Sequence, residues 1–219
     1  LPLAIPDFAS AGADRYARDI PGVITNNLKN SGLLRTLDRQ AFISQVALQD
    51  LDEVIQQAYD RGEDPLIVAL DGVTDVRNMG AIARSAECFG AHGLLVPKQY
   101  SARLGSDAIK SSAGALLRVP VCRVMDLQQG IARAHAHGLR VVACTEKTPN
   151  QLNDCNLRGP LVLIMGAEGE GISPAILERV DDRGSIPMAG SIGSLNVSVA
   201  AGIALHVAHA QRANPVDKA

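Results

Sequence analysis

Three short segments of this chain carry residues suited to chemistry rather than to filling a core. The first, residues 71–84 (DGVTDVRNMGAIAR), sets Asn78 at the turn into a helix and Gly80 and Arg84 within it. Gly80 and Arg84, at i and i+4, share one helical face, and Gly80 is expected to leave ligand space beside the Arg84 side chain. A plain structural reading makes Asn78 a helix cap and Arg84 a surface ion-pair partner. The second segment, residues 166–171 (GAEGEG), follows an apolar run. Its three glycines let backbone approach a ligand closely. The spacing is G-x-x-G-x-G, not the dinucleotide fingerprint. Glu168 and Glu170 make the loop acidic, which disfavours a phosphate cradle and suits a cationic or hydroxyl-bearing ligand, such as a sulfonium cofactor with a ribose. The alternative is a glycine-rich surface turn. The third segment, residues 186–200 (IPMAGSIGSLNVSVA), passes through a Gly/Ser loop into a helix whose start carries Ser194, Asn196 and Ser198. Helix N-termini offer unsatisfied N–H groups to acceptors. N-capping by Ser194 explains one residue but not the loop.

Short apolar runs at 65–70, 93–96, 139–144 and 160–165 read as buried strands, with 117–124 and 185–188 extended. Helical spacing covers 47–61, 79–89 (Ile82, Ala83, Ala86 and Phe89 inward), 104–116, 173–180 and 194–212. Asp126 is placed to N-cap a further helix ending near His137, with Gly138 as its stop. Alternating all-apolar strands and helices predict an α/β protein with a parallel sheet flanked by helices. In such sheets ligands bind beyond the carboxyl ends of the strands, where these segments fall.

Hydrophobic residues are 47% of the 219 and aromatics only 3%, with no Trp, so the core must be aliphatic. The formal net charge of −2 excludes a protein that simply coats RNA. Any nucleic-acid surface is local, and 98–123 is the candidate: Lys98, Arg103, Lys110, Arg118 and Arg123 face one acid, Asp107. An ordinary solvated face is the competing reading. The four cysteines lack CxxC spacing and clustered His, which argues against a metal site. Cys88, Cys122 and Cys144 read as small core residues, as in a reducing cytosol. With no long apolar run and no signal-peptide pattern, a soluble, cytoplasmic protein without membrane partners is expected. The opening Leu suggests a processed or truncated start.

In order and spacing, IPMAGSIGSLNVSVAAGIAL, LIMGAEGEGI and DGVTDVRNMGAIARSAE resemble the three motifs of the SpoU/TrmH family, RNA 2′-O-ribose methyltransferases of the SPOUT class. The resemblance covers roughly residues 65–212. It implies a C-terminal deep trefoil knot, an exception to the rule against knots, in a methyltransferase domain over 65–219. It implies S-adenosyl-L-methionine as cofactor, held by Thr145, Glu146, Gly166, Ile186, Met188, Ser194, Leu195 and Asn196. It makes Arg84 catalytic, with Asn78, Glu168, Ser194 and Asn196 completing the site, and no metal. It also implies a homodimer through the knotted domain. RNA contacts are expected from Arg77, Lys98, Arg103 and Lys110. Arg84 is proposed in the family as the base. A guanidinium stays protonated to about pH 12, so holding a phosphate and polarising the hydroxyl is the other role.

The MGAEGEG and IPMAGS wording is closer to the 23S rRNA guanosine methyltransferases than to the tRNA members. Those relatives carry an N-terminal RNA-binding domain resembling a ribosomal protein. Here Asp38–Asp50 resembles its end and the start of the linker, so residues 1–45 read as its remnant and 46–64 as a linker helix. The alternatives are a tRNA or other rRNA target, and a silent RNA-binding assembly protein of the same fold. A silent protein would not need Asn78, Arg84, Glu168, Ser194 and Asn196 together. A nicotinamide oxidoreductase lacks its glycine fingerprint.

Overall fold

The computed structural model describes residues 2–3, 35–36, 46 and 48–213. The chain divides into two compact units, Leu1–Gln45 and Val46–Ala219. In the first, Pro2–Leu3 and Arg35–Thr36 form a parallel pair. The rest of the expected N-terminal remnant lies outside the described residues, as does residue 47 of the linker helix expected over 46–64, whose helical part runs only from Leu51 to Asp60.

The second unit holds a six-stranded sheet: β1 (Leu66–Asp71), β2 (Gly93–Pro97), β3 (Val121–Val124), β4 (Arg140–Cys144), β5 (Leu161–Gly166) and β6 (Asp182–Gly184). Its order is β3-β2-β1-β5-β4-β6, and every neighbouring pair is parallel. The central strands β1 and β5 are apolar up to their ends because helices cover both faces, while the edge strand β6 (Asp-Arg-Gly) is polar. Alternation sorts their side chains. Leu66, Val68 and Leu70 enter one core with Leu161, Leu163 and Met165. Ile67, Ala69, Val162 and Ile164 enter the other.

Helices α2 (Val76–Cys88), α3 (Ser106–Ser111) and α6 (Val197–Ala213) cover the first face through Met79, Ile82, Ala83, Ile109, Ala201, Ala204 and Leu205. Helices α1 (Leu51–Asp60), α4 (Leu127–Ala136) and α5 (Pro174–Leu177) cover the second. Asp50 and Asp126 N-cap α1 and α4 through their side chains. Arg133 of α4 joins both helices by ion pairs to Asp50 and Asp52, which hold those carboxylates below the usual range. No helix among the described residues is long and apolar enough to cross a membrane.

Several elements differ from the sequence expectation. The helix expected over 104–116 breaks after Ser111, where Ala113 and Gly114 take positive φ, and resumes as a short 3-10 turn at Ala115–Leu117. Pro120 delays the next strand to Val121. Helix α2 starts at Val76, three residues early, because Asp75 caps it by accepting from the Arg77 and Asn78 amides. Asn78 is therefore in the first turn and is not the cap. Cys88 is exposed rather than core. It shares the outer stripe of α2 with Arg77, Ala81 and Arg84, at i, i+4, i+7 and i+11.

Candidate functional site

The strand order reverses between β1 and β5, which pair residue for residue from Leu66↔Leu161 to Asp71↔Gly166. Such a reversal opens a crevice beyond the carboxyl ends. All three chemical segments converge there.

After β5, Ala167 and Gly171 exchange backbone hydrogen bonds at 3.1 and 2.9 Å, closing a tight loop. A Cβ on Gly166 would lie 2.3 Å from the Gly171 carbonyl carbon. The close approach that demands glycine here is therefore to the loop itself. Gly169 and Gly171 take φ of +85° and +77°, in the left-handed region that glycine enters without penalty. Asp71, at the end of β1, accepts from the Ser173 amide at 2.8 Å and ties down the loop's exit. Lys147 donates to the Glu170 carbonyl at 2.9 Å and ties its flank.

This loop presents Glu168 to the other two segments. Glu168 Oε1 accepts from Asn78 Nδ2 at 3.0 Å and from Asn196 Nδ2 at 2.7 Å. Asn196 Nδ2 also donates to Asn78 Oδ1 at 3.1 Å. Asn196 Oδ1 accepts from the amide and hydroxyl of Ser198, at 2.9 and 2.6 Å. Asn196, not Ser194, thus satisfies the start of α6. One cluster joins residues 118 positions apart.

Beside it lies a cleft of about 470 Å³. Thr145, Glu146, Gly166, Ser194, Leu195 and Asn196 line it, and Cys144, Met165, Ile172, Val197 and Ala200 supply apolar wall. An adjoining recess adds Ile186 and Met188. All eight expected cofactor contacts therefore line these two recesses, which share Thr145, Glu146, Ser194 and Leu195. Thr145 is buried and accepts from the Lys147 amide through its hydroxyl. A larger cavity of about 800 Å³, at Gln49, Arg61, Asp64 and Arg118, lies at the amino ends of the strands, away from the cluster.

Arg84 is not part of the cluster. It is exposed, lines neither cleft nor recess, and has no side-chain partner among the described residues. Gly80 leaves no ligand space beside it: a Cβ there would lie 2.0 Å from Ser111 Oγ and 2.8 Å from the Ser112 amide nitrogen. Gly80 is the contact point of α2 with α3. Arg77 is exposed and paired with Asp75 at 2.9 Å. That guanidinium, with the Arg77 and Asn78 amides, holds the Asp75 carboxyl at about 2. Lys98, Arg103 and Lys110 are exposed, without side-chain partners among the described residues. Arg118 pairs with Glu87. Burial raises the Cys122 and Cys144 thiols to about 12, leaving both unreactive. No group of His, Cys, Asp or Glu among the described residues is arranged to hold a metal.

Sequence reasoning missed Asp71, Ala167 and Lys147 as parts of this site. Only Asp71 carried a signal, a carboxylate ending an otherwise apolar strand.

The model of the SpoU rRNA Methylase family matches residues 65–206. A second model, the TolB amino-terminal domain, matches residues 1–69, mostly outside the described residues. A Mycobacterium avium protein described as an uncharacterised tRNA/rRNA methyltransferase is 42% identical over 162 residues, 74% of this chain and 52% of that one. The 23S rRNA (guanosine-2′-O-)-methyltransferase RlmB of Photorhabdus laumondii is 40% identical over 165 residues, 75% of this chain and 66% of that one. The chain thus spans about half to two thirds of the length of these relatives. Among solved structures, the SpoU methyltransferase AviRb from Streptomyces viridochromogenes, in complex with the cofactor AdoMet, is similar with a TM-score of 0.63 and 30% identity, covering 78% of this chain and 62% of that one.

Proposed function

Since the chain belongs to the SpoU rRNA methylase family, we propose that it methylates a ribose 2′-OH in structured RNA, with S-adenosyl-L-methionine as donor. The observation that carries this reading is the Asn78–Glu168–Asn196 cluster at the mouth of the 470 Å³ cleft. The cleft has the size of a small-molecule site. Its mixed lining suits a ligand with both apolar and hydroxyl-bearing parts. The Glu146 and Glu168 carboxylates beside it suit a cationic one. Bound there, S-adenosylmethionine supplies an electrophilic methyl group on a sulfonium.

The chain's own residues position the nucleophile. With the cofactor held by the cleft residues, transfer to the ribose 2′-oxygen would release a neutral thioether and, to solvent, the hydroxyl proton, so alignment of oxygen and methyl would dominate the rate. Glu168 Oε1 is taken by two amides, which leaves Oε2 to accept from a ribose hydroxyl. Arg84 holds the adjoining phosphate and polarises the hydroxyl, a role that suits a group staying protonated to about pH 12. It reaches a site as part of a homodimer, in which α2 of one protomer faces the partner's cluster. The exposed apolar Ile192, Leu195 and Val199 at the start of α6 support such an interface.

The family's trefoil knot is proposed for the C-terminal part. Its support is the seat of the α6 end, where Gln211 bonds the 153–157 segment and Arg212 donates to the Gly159 and Asp64 carbonyls. A guanosine of 23S rRNA is the proposed target, supported by the 40% identity to the Photorhabdus enzyme. A cytoplasmic location follows from that target. Sequencing of 2′-O-methylated nucleotides in RNA from cells with and without the gene tests the reading. One guanosine of 23S rRNA should lose its methyl, and an unchanged map would overturn it.

A further inference from the structure

A second cleft, of about 630 Å³, opens at the carboxyl ends of β1, β2 and β3. It shares Ala167 and Glu168 with the cofactor cleft, so the two meet at the carboxylate that Asn78 and Asn196 hold. Its lining is unlike that of the first. Tyr100 is 80% exposed and Met125 65%, two large side chains standing free in a chain with only three Tyr, three Phe and no Trp. Tyr100 also takes a φ of +56°. That is the left-handed region, which bulky residues avoid and which clusters at ligand clamps.

Four carboxylates line this cleft and no Lys or Arg does. Three have partners inside the protein: Asp71 takes the Ser173 amide, Asp126 caps α4, and Glu168 takes two amides. The Glu170 carboxylate has none among the described residues. Cations stand outside, on the loop that carries Tyr100. Lys98 and Arg103 flank it, exposed and without side-chain partners. An acidic interior with a basic rim excludes phosphate from inside and attracts it outside. That matches single-stranded RNA, whose unstacked bases are splayed onto aromatic side chains and read along their edges.

We propose that this cleft receives the target base, stacked on Tyr100 and read along its N–H edge by Glu170, while Lys98 and Arg103 take the adjoining phosphates. An ionised carboxylate only accepts, and guanine is the base presenting two adjacent donors, N1–H and the 2-amino group. The cleft therefore selects guanosine and delivers its ribose to Glu168. This inference rests on the methyltransferase reading above.

The test uses the whole chain with labelled S-adenosylmethionine and a 23S rRNA transcript, reading kcat/KM for methyl transfer, the nucleoside labelled, and cofactor affinity by calorimetry. Tyr100→Ala should lower kcat/KM at least about tenfold, the scale of one lost base stack, with cofactor affinity unchanged. Tyr100→Phe should restore most of it. Placing inosine at the labelled position, which deletes the 2-amino group, should cost the unaltered protein but cost Glu170→Gln little further. Folded Tyr100→Ala and Glu170→Gln proteins that transfer like the unaltered one would overturn the base site while leaving the methyltransferase reading intact. Label on a nucleoside other than guanosine would overturn it as well. Cofactor binding without transfer to any RNA by the unaltered protein would overturn the underlying reading and this inference with it.

Discussion

Asn78 leaves the first turn of α2 toward the carboxyl end of the sheet and is fixed by Glu168 and Asn196. Arg84, six residues along the same helix, stands in solvent and touches none of them. The helical period separates them, since the repeat returns to a face after seven residues rather than six. On the proposed reading, the contrast divides the site into a part that one chain preorganises and a part that RNA or a second protomer completes. In the first, hydrogen bonds among three segments set the geometry before any ligand arrives. In the second, a cation waits for an anion.

That division predicts unequal effects. The largest is at Arg84: Arg84→Ala should lose at least about 100-fold in single-turnover methyl transfer, the scale of one general acid–base contribution, with unchanged S-adenosylmethionine affinity by calorimetry. Near-normal transfer would erase the distinction. Mixing Arg84→Ala with Glu168→Ala protomers should restore part of the lost activity if Arg84 serves the partner's site, and an inactive mixture would confine it to its own chain.

A smaller loss, about tenfold in transfer or about 1.4 kcal/mol, is expected for Asn196→Ala, which removes the hydrogen bonds to Glu168 and Asn78. It also removes the α6 cap, so melting should show a cost of about 1 kcal/mol. Gly80→Ala probes the scaffold instead. Its Cβ would lie 2.0 Å from Ser111 Oγ, and such overpacking costs about 1–3 kcal/mol, read as a lower midpoint in urea. A normal midpoint would show that α2 and α3 separate freely.

The smallest effect is electrostatic. Asp75 has a pKa of about 2 in the fold against 3.8 for the free group. Its contribution to α2 is therefore fully present above pH 3.8 and is lost as pH falls through about 2. Asp75→Asn, which keeps an acceptor for the cap but not the charge, should flatten the stability profile in that window only. An unchanged profile would show that Asp75 does not titrate with α2.

The parallel sheet and its helices were legible because β1, β2, β4 and β5 are short apolar runs bounded by turn residues. Most residues lining the 470 Å³ cleft were legible as neighbours because they lie in two contiguous segments, 166–171 and 193–200. What escaped was set by contacts distant in sequence. Gly80 read as ligand space because Ser111, which fills it, is 31 positions away. Ser194 read as the cap because nothing local shows that Asn196 is pulled to Glu168 and Asn78. Cys88 read as core from its apolar neighbours, although it shares the helical stripe of Arg77 and Arg84. Tyr100 gave no signal at all, since exposure and backbone angle are properties of the folded chain.

The most direct measurement incubates the protein with methyl-labelled S-adenosylmethionine and 23S rRNA, digests the RNA to nucleosides and locates the label by mass spectrometry. The account predicts label on a single nucleoside, 2′-O-methylguanosine, lost with Arg84→Ala while the cofactor still binds. Label on a base, or none in any RNA offered, would contradict it.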